Sequence, residues 1–291
     1  MSWLITGGSG QLGIALSQEL GGRGLNFHAW NSKELEITQG PIVRDFITEL
    51  SPTLIINCAA WTDVDGAESN EMLAFRVNSY GAENIALAAK QCGAKLIHIS
   101  TDYVFSGESE VPWNVNDIIN PQSVYGRTKA GGEKRVLTLY PENSSVVRTA
   151  WLYSPWGENF AKTMTRLAIK REGEIRVVND QVGQPTSAMD LAKQLVALGQ
   201  SSAPAGIYHG TNAGQATWFE FAQEIFKLVG AQVDRVKAVS SAEFISPTKR
   251  PSYSVLGHEA WAKTSVAPMR DWKIALTEAM PAIILAVEAE E

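Results

Sequence analysis

The apolar run Ser2–Thr6 breaks into Thr6-Gly7-Gly8-Ser9-Gly10-Gln11-Leu12-Gly13 and then into a stretch of helical period. This junction restricts the fold more tightly than anything else in the chain. Glycines between a strand and a helix allow a sharp turn and close backbone approach to a ligand. The helix N-terminus adds free N–H groups and the positive end of its dipole. The junction therefore predicts a pyrophosphate cradle. A plain tight turn is the alternative that a Gly-rich triplet leaves open when taken alone.

The first 150 residues repeat the same alternation. Short β-prone runs at Ser2–Thr6, Asn26–Trp30, 53–57, 95–100 and 145–148 are separated by helical stretches starting near Gln11, Pro41, Asn70 and Tyr125. In the third stretch Leu73, Val77, Ile85 and Leu87 are expected on one buried face. Strand-helix alternation of this kind is the sequence form of βαβ units on a parallel sheet. After Arg148 the pattern loosens, with breakers at Ser154-Pro155-Trp156-Gly157, Gly183-Gln184-Pro185 and Ser246-Pro247. Helices are expected at 159–170, 188–198 and 218–228, strands at Ile175–Val178 and 206–210, and a helix after Asp271 interrupted or kinked at Pro281. The fold class expected is α/β, a Rossmann-type doubly wound parallel sheet with a smaller mixed α/β substrate-binding domain. Residues 1–150 would form the dinucleotide-binding domain, with a returning segment near 186–213, and 151–291 mainly the substrate-binding domain.

Composition limits what such a cradle can serve. A chain of 291 residues buries roughly three quarters of its unfolded surface without staples. With 45% hydrophobic and 19% charged residues, it reads as globular rather than disordered or membrane-embedded. The net charge of -6 leaves no basic face for a polyanion, so neither nucleic acid nor membrane is an expected partner, and any phosphate must be held locally. Cys58 and Cys92 lack metal or disulfide spacing, as do His28, His98, His209 and His258. The N-terminus carries no signal-peptide pattern, and no run of about 18 apolar residues exists to span a bilayer. A cytoplasmic location is the expectation.

Three further segments carry chemistry. After the second strand the chain reads Asn31-Ser32-Lys33, with no carboxylate where NAD would want one. These residues would tolerate or pair with a 2′-phosphate, which favours NADPH and leaves NADH open. Tyr125-Gly126-Arg127-Thr128-Lys129 sets a phenol and an ammonium at i and i+4 on one helix face, where the positive charge would lower the phenol pKa toward neutrality. Thr101, past the fourth strand, would reach the same mouth of the sheet. Three side chains would then converge on one carbonyl.

The Gly-rich turn, Ser100-Thr101-Asp102-Tyr103-Val104-Phe105 and Tyr125-x-x-x-Lys129 together resemble the extended short-chain dehydrogenase/reductase superfamily. Within it the closest resemblance is to the dTDP-4-dehydrorhamnose reductases. It extends along almost the whole chain through Leu35-Glu36-Ile37-Thr38, Asn57-Cys58-Ala59-Ala60-Trp61-Thr62-Asp63-Val64-Asp65, Val77-Asn78, Arg148-Thr149-Ala150-Trp151, Asp180-Gln181-Val182-Gly183-Gln184-Pro185-Thr186 and Arg250-Pro251.

The resemblance implies NAD(P)H-dependent reduction of the C4 ketone of a dTDP-linked 4-keto-6-deoxysugar, dTDP-4-dehydro-L-rhamnose, to dTDP-L-rhamnose. Tyr125 would protonate the C4 oxygen, Thr101 would hydrogen-bond the ketone, and Lys129 would hold the nicotinamide ribose and tune the tyrosine. Gly7, Gly10, Gln11, Leu12 and Gly13 would line the pyrophosphate. Asn31, Glu36 and Ile37 would lie at the adenosine end, and Ala59, Ala60 and Thr62 would border the cofactor. Val64, Tyr103 and Trp151 would contact the deoxysugar, with Gln184 and Arg250 near the nucleotide half. Trp151 would offer a flat wall to a sugar methyl, a packing tryptophan being its alternative. Arg250 would fork onto a diphosphate, a surface salt bridge being the other reading.

Some relatives dimerise through magnesium held by glutamates, one of them in the first helix. Here that place reads Gly13-Ile14-Ala15-Leu16, so no metal is assigned and Mg2+ is doubted. Glu288, Glu290 and Glu291 read as a solvated acidic tail, and a homodimer is left open. Two competing readings remain. A nucleotide-sugar epimerase or dehydratase is disfavoured because elimination calls for an Asp-Glu pair after the threonine and this chain has Asp102-Tyr103. An NADP-binding regulatory subunit similar to that of methionine adenosyltransferase would bind cofactor without turnover.

Overall fold

The computed structural model of the protein describes residues 2–244 and 246–290. Its first half runs β1 (Ser2–Thr6), α1 (Gln11–Gly22), β2 (Asn26–Trp30), α2 (Gly40–Leu50), β3 (Leu54–Asn57), α3 (Val64–Ser69), α4 (Glu71–Phe75), a π-helical stretch Arg76–Gly81, α5 (Ala82–Cys92), β4 (Lys95–Thr101), α6 (Val124–Leu139) and β5 (Ser144–Thr149). There follow β6 (Leu152–Tyr153), α7 (Phe160–Lys170), β7 (Ile175–Val178), β8 (Val182–Gly183), β9 (Thr186–Ser187), α8 (Ala188–Gln200), β10 (Gly206–His209), β11 (Ala216–Thr217), α9 (Trp218–Val229), β12 (Val236–Val239) and α10 (Trp272–Glu288).

Six strands form one parallel sheet in the order β10-β5-β4-β3-β1-β2. Side chains of β1 alternate between its faces. Trp3 and Ile5 join a core with Leu12 and Leu16 of α1 and Leu191 and Leu195 of α8, whereas Leu4 joins Val43, Ile47, Ile85 and Ala86 of α2 and α5. Both faces being covered, the strand must be apolar at successive positions. Each such side chain stabilises the fold by roughly 1.5–3 kcal/mol on burial. Since β1 lies between β2 and β3, the connections leave it in opposite directions, and a crevice opens beyond the carboxyl ends of β1 and β3.

The edge strand β10 comes from the second half, registering Gly206 to His209 against Ser145 to Arg148. A third core joins α7, α9 and α10 through Met164, Phe221, Ile225, Phe226, Trp272, Leu276 and Ile283, alongside the parallel pair β7 and β12. The helix N-termini here are capped by side chains: Asn159 accepts from the Lys162 N–H, and Thr217 and Glu220 form a reciprocal capping box.

Two local expectations are corrected. Leu73 is exposed and Val77 half-buried, while Ala74 takes the inner position. The π-helical stretch adds a residue to its turn, so a 3.6-residue period cannot be carried from α4 into α5. At the C-terminus α10 runs unbroken through Pro281, whose own side is exposed while Met280 and Ile283 are buried.

Candidate active site

The site begins at the Gly-rich turn. Gly7 takes φ +69°, and a Cβ there would lie 2.8 Å from the Ala59 nitrogen, so the turn and the loop after β3 touch backbone to backbone. Gly10 caps α1 without a side-chain hydrogen bond, and the first turn carries no acidic residue. The N–H groups opening α1 therefore face the crevice with their dipole uncompensated. Leu12 can serve a ligand only through backbone, and Gln11 keeps its backbone N–H and amide nitrogen for one. The Gln11 amide oxygen accepts from Ser154 Oγ at 2.8 Å and Asn159 Nδ2 at 3.0 Å, and Leu12 packs in the core. These features fit a dinucleotide pyrophosphate.

The loop beyond β3 is held by a residue that sequence reasoning did not assign. Asn78, in the π-helical stretch, accepts from Trp61 N at 2.8 Å and donates to the Trp61 carbonyl and to Thr128 Oγ1. One buried amide thus ties the 59–62 loop to α6, with Ala59 and Ala60 half-buried and Thr62 exposed at the rim. Its signal was the Val77-Asn78 segment, but its role depends on the π-helical register.

At the end of β2 the chain makes a compact turn over residues 31–34. Glu34 turns back so that the Asn31 N–H donates to its Oε2 at 2.9 Å, while Asn31 Oδ1 accepts from Lys33 N. The turn folds this acid back onto the backbone three residues upstream, a contact that linear spacing does not show. Glu36 is exposed and accepts from its neighbour Thr38. The Ile37 side chain lies in the core with Leu35 and Val43, which leaves its backbone for the adenosine end.

Ser123 caps α6 by accepting from the Gly126 N–H at 3.0 Å, which puts Tyr125 in the first turn and Lys129 one turn below. At Gly126 a Cβ would run into the Tyr103 carbonyl, so only glycine lets α6 approach that segment. The half-buried Tyr125 phenol lies beside Thr101, and its ring meets Tyr103 edge-on at 5.6 Å.

The expected electrostatics are corrected. Burial pushes the Tyr125 phenol above its ordinary pKa, with the neighbouring Thr101 hydroxyl opposing and Asp102 adding to the rise. Lys129 Nζ donates instead to the Ile99 carbonyl at 2.5 Å. Burial brings the Lys129 ammonium down to about 8 despite the opposing Glu133 and Cys58. The ammonium is desolvated beneath the helix, so it does not make the phenol acidic in the way that i,i+4 spacing suggested.

On the other side the Tyr103 phenol faces Arg250, and Arg250 Nη2 pairs with Asp65 Oδ2 at 3.0 Å. Val64 accepts from Thr248 Oγ1 through its carbonyl. Arg250 and Asp65 line a cavity of about 890 Å³ whose far wall includes Phe160, Met164, Val177 and Trp218. Trp151 adopts φ +46°, a left-handed conformation rare for a bulky residue, and stacks on Trp218 with ring centroids 3.5 Å apart. Trp218 escaped the sequence reading because it stands at a helix start that composition alone explained.

Gln184 does not join this cavity. It is 3% exposed, accepts from Leu256 N and Thr211 Oγ1 at 2.8 Å each, and donates to the Leu256 carbonyl. Buried with its amide oxygen doubly engaged and its amide nitrogen donating, it holds the segment around Leu256, which corrects the expectation that it meets substrate.

A family model described as the RmlD substrate binding domain matches residues 1–284. The chain belongs to this family. A dTDP-4-dehydrorhamnose reductase of Streptomyces griseus is 45% identical over 285 residues, covering 97% of this chain and 93% of the relative. A dTDP-4-keto-6-deoxy-D-glucose reductase of Streptomyces niveus is 45% identical over 281 residues, covering 96% of each. The crystal structure of a dTDP-4-dehydrorhamnose reductase from Bacillus anthracis in complex with NADP superposes with TM-score 0.92 at 39% identity, covering 96% of this chain and 98% of that one.

In this member of the RmlD family, no group of three or more His, Cys, Asp or Glu among the described residues could hold a metal ion. The acidic end is not free: Glu290 receives Lys162 Nζ and Arg166 Nη2 at 2.6 Å each, which holds its carboxyl well below the usual range. Glu291 lies outside the described residues. None of the described helices is long and apolar enough to cross a membrane.

Proposed function

We propose that the chain reduces the C4 ketone of a dTDP-linked 4-keto-6-deoxysugar with NADPH, forming dTDP-L-rhamnose from dTDP-4-dehydro-L-rhamnose. The protein is an NAD(P)H-dependent oxidoreductase of the dTDP-4-dehydrorhamnose reductase type. The observation that carries the site assignment is the juxtaposition of Tyr125, in the first turn of α6, with Thr101, at the end of β4 in the sheet whose β1 leads into the cradle at α1.

A bound reduced nicotinamide supplies hydride to C4. Tyr125 holds the proton for the C4 oxygen at its phenol, and its raised pKa keeps that proton in place until negative charge develops on the ketone. Lys129 holds the nicotinamide ribose from below, and the N–H groups of Gln11, Leu12 and Gly13 cradle the pyrophosphate. Arg250 takes the sugar-nucleotide diphosphate, for which it must exchange Asp65 as partner. Val64, Tyr103 and Trp151 border the deoxysugar, Trp151 being held flat by Trp218. Tyr103 stands where a dehydratase would carry its second carboxylate, and this supports reduction over elimination.

Purified protein is expected to consume NADPH, followed by its absorbance, with dTDP-4-dehydro-L-rhamnose. A panel including dTDP-4-keto-6-deoxy-D-glucose separates the two activities named among the relatives. GDP- or UDP-linked keto sugars in the same panel test the base. Absence of NADPH consumption with every keto sugar would remove the reductase reading. The Lys129 ammonium sets an upper pH limit. Its charge is lost as pH rises through about 8, so cofactor affinity is expected to hold below that pH and decline above it, as a pH series of KM for NADPH would record.

A further inference from the structure

Asp102 has no part in the mechanism above, yet it sits directly behind Thr101 and is 3% exposed. Thr101 Oγ1 donates to Asp102 Oδ1 at 2.9 Å, and Asp102 Oδ2 is sealed from solvent without a hydrogen-bond partner. A hydroxyl has one hydrogen and two lone pairs. At Thr101 the hydrogen goes to Asp102, and the oxygen faces the Tyr103 N–H at 3.2 Å and the Tyr125 phenol. With Asp102 ionised, Thr101 has nothing left to donate to a ketone.

We propose that Asp102 is a positioning residue that decides whether the Thr101 hydrogen points inward to a carboxylate or outward to the substrate ketone. When Asp102 is protonated, the carboxyl donates to the Thr101 oxygen and the Thr101 hydroxyl turns about its C–O bond. Its lone pairs then accept from Asp102 and Tyr103 N–H, while Thr101 and Tyr125 both donate to the ketone oxygen. The carboxyl proton stays on Asp102 in this step, and no bond to carbon changes. The proposal rests on the reading of Thr101 and Tyr125 as the ketone's partners.

The surroundings suit such a switch. Burial pushes the carboxyl up to about 6, opposed by the neighbouring Ser254 and Thr101 hydroxyls. The titratable groups facing it are the Tyr103 phenol beside it and the Tyr125 phenol of α6. From the 252–256 segment it is faced by the uncharged Ser254. Arg250 and Asp65 act on Tyr103 rather than on Asp102, and the Arg148 guanidinium lies over the Phe105 ring, paired with Glu133.

The test is the pH dependence of kcat/KM at saturating NADPH in wild type, Asp102→Asn and Thr101→Val. Wild type is expected to lose about tenfold as pH rises through 6, the effect of one charge-assisted hydrogen bond. Both variants are expected to be flat there. Infrared spectra should show a protonated-carboxyl band that titrates at the same pH in wild type and Thr101→Val and is missing from Asp102→Asn. A wild-type profile without the inflection overturns the proposal, and so does an inflection that persists in Thr101→Val, which does not depend on the Asn variant folding. Absence of turnover by wild type at every pH overturns the reductase reading and this proposal with it, whereas turnover without the inflection removes this proposal alone.

Discussion

Tyr125→Phe is expected to lower kcat/KM by about 10²–10⁴-fold, the range for a positioned general acid. NADPH affinity should stay within about twofold, since an interaction made only with the reacting oxygen acts on turnover and not on cofactor binding. The ring is held from outside the phenol, by Ser123 capping α6 and by the edge contact with Tyr103, so removing the oxygen leaves the helix start intact. Fluorescence titration with NADPH and steady-state rates on the same preparation separate the two effects. Loss of cofactor binding with the rate would assign the phenol to the cofactor and remove it as the proton donor.

Glu133→Ala is expected to destabilise the fold by about 3–5 kcal/mol, the cost of leaving a buried charge unpaired. Arg148 Nε and Nη2 donate to the two Glu133 oxygens at 2.9 and 2.8 Å, with both side chains almost wholly buried between β5 and α6. A double variant, Glu133→Leu with Arg148→Met, removes both charges and should recover most of the loss in urea unfolding. The single variant has a second consequence. Glu133 holds the Lys129 pKa up against burial, so its removal lowers that pKa further. The upper pH limit of cofactor affinity is then expected to move to lower pH. An unchanged limit would mean that Lys129 does not govern it.

Much of the architecture was legible because its signals are local. The junction at Gly7 to Gly13 needs only a strand, a turn and a helix in succession, and the strand runs at Asn26–Trp30 and Ile175–Val178 agree with the structure residue for residue. The face of the 70–92 stretch was misread at Leu73, since π-helical geometry arises from packing against α6 rather than from composition. Glu34 shows the same limit in a loop, where a turn of a few residues folds its carboxylate back onto the Asn31 N–H, a contact that linear spacing does not show.

The site divides along the same line. The spacing of Tyr125 and Lys129 guarantees that they share a helix face, and the end of β4 guarantees that Thr101 reaches the mouth of the sheet. Whether the ammonium reaches the phenol, whether Gln184 faces a ligand, and what stands behind Thr101 and Trp151 depend on neighbours from distant parts of the chain: Ile99, Leu256, Asp102 and Trp218. Backbone period and turn chemistry act over a few residues, so they are written in order along the chain. Burial and the choice of hydrogen-bond partner depend on which segments meet across the sheet, and those meetings exist only once the chain has folded.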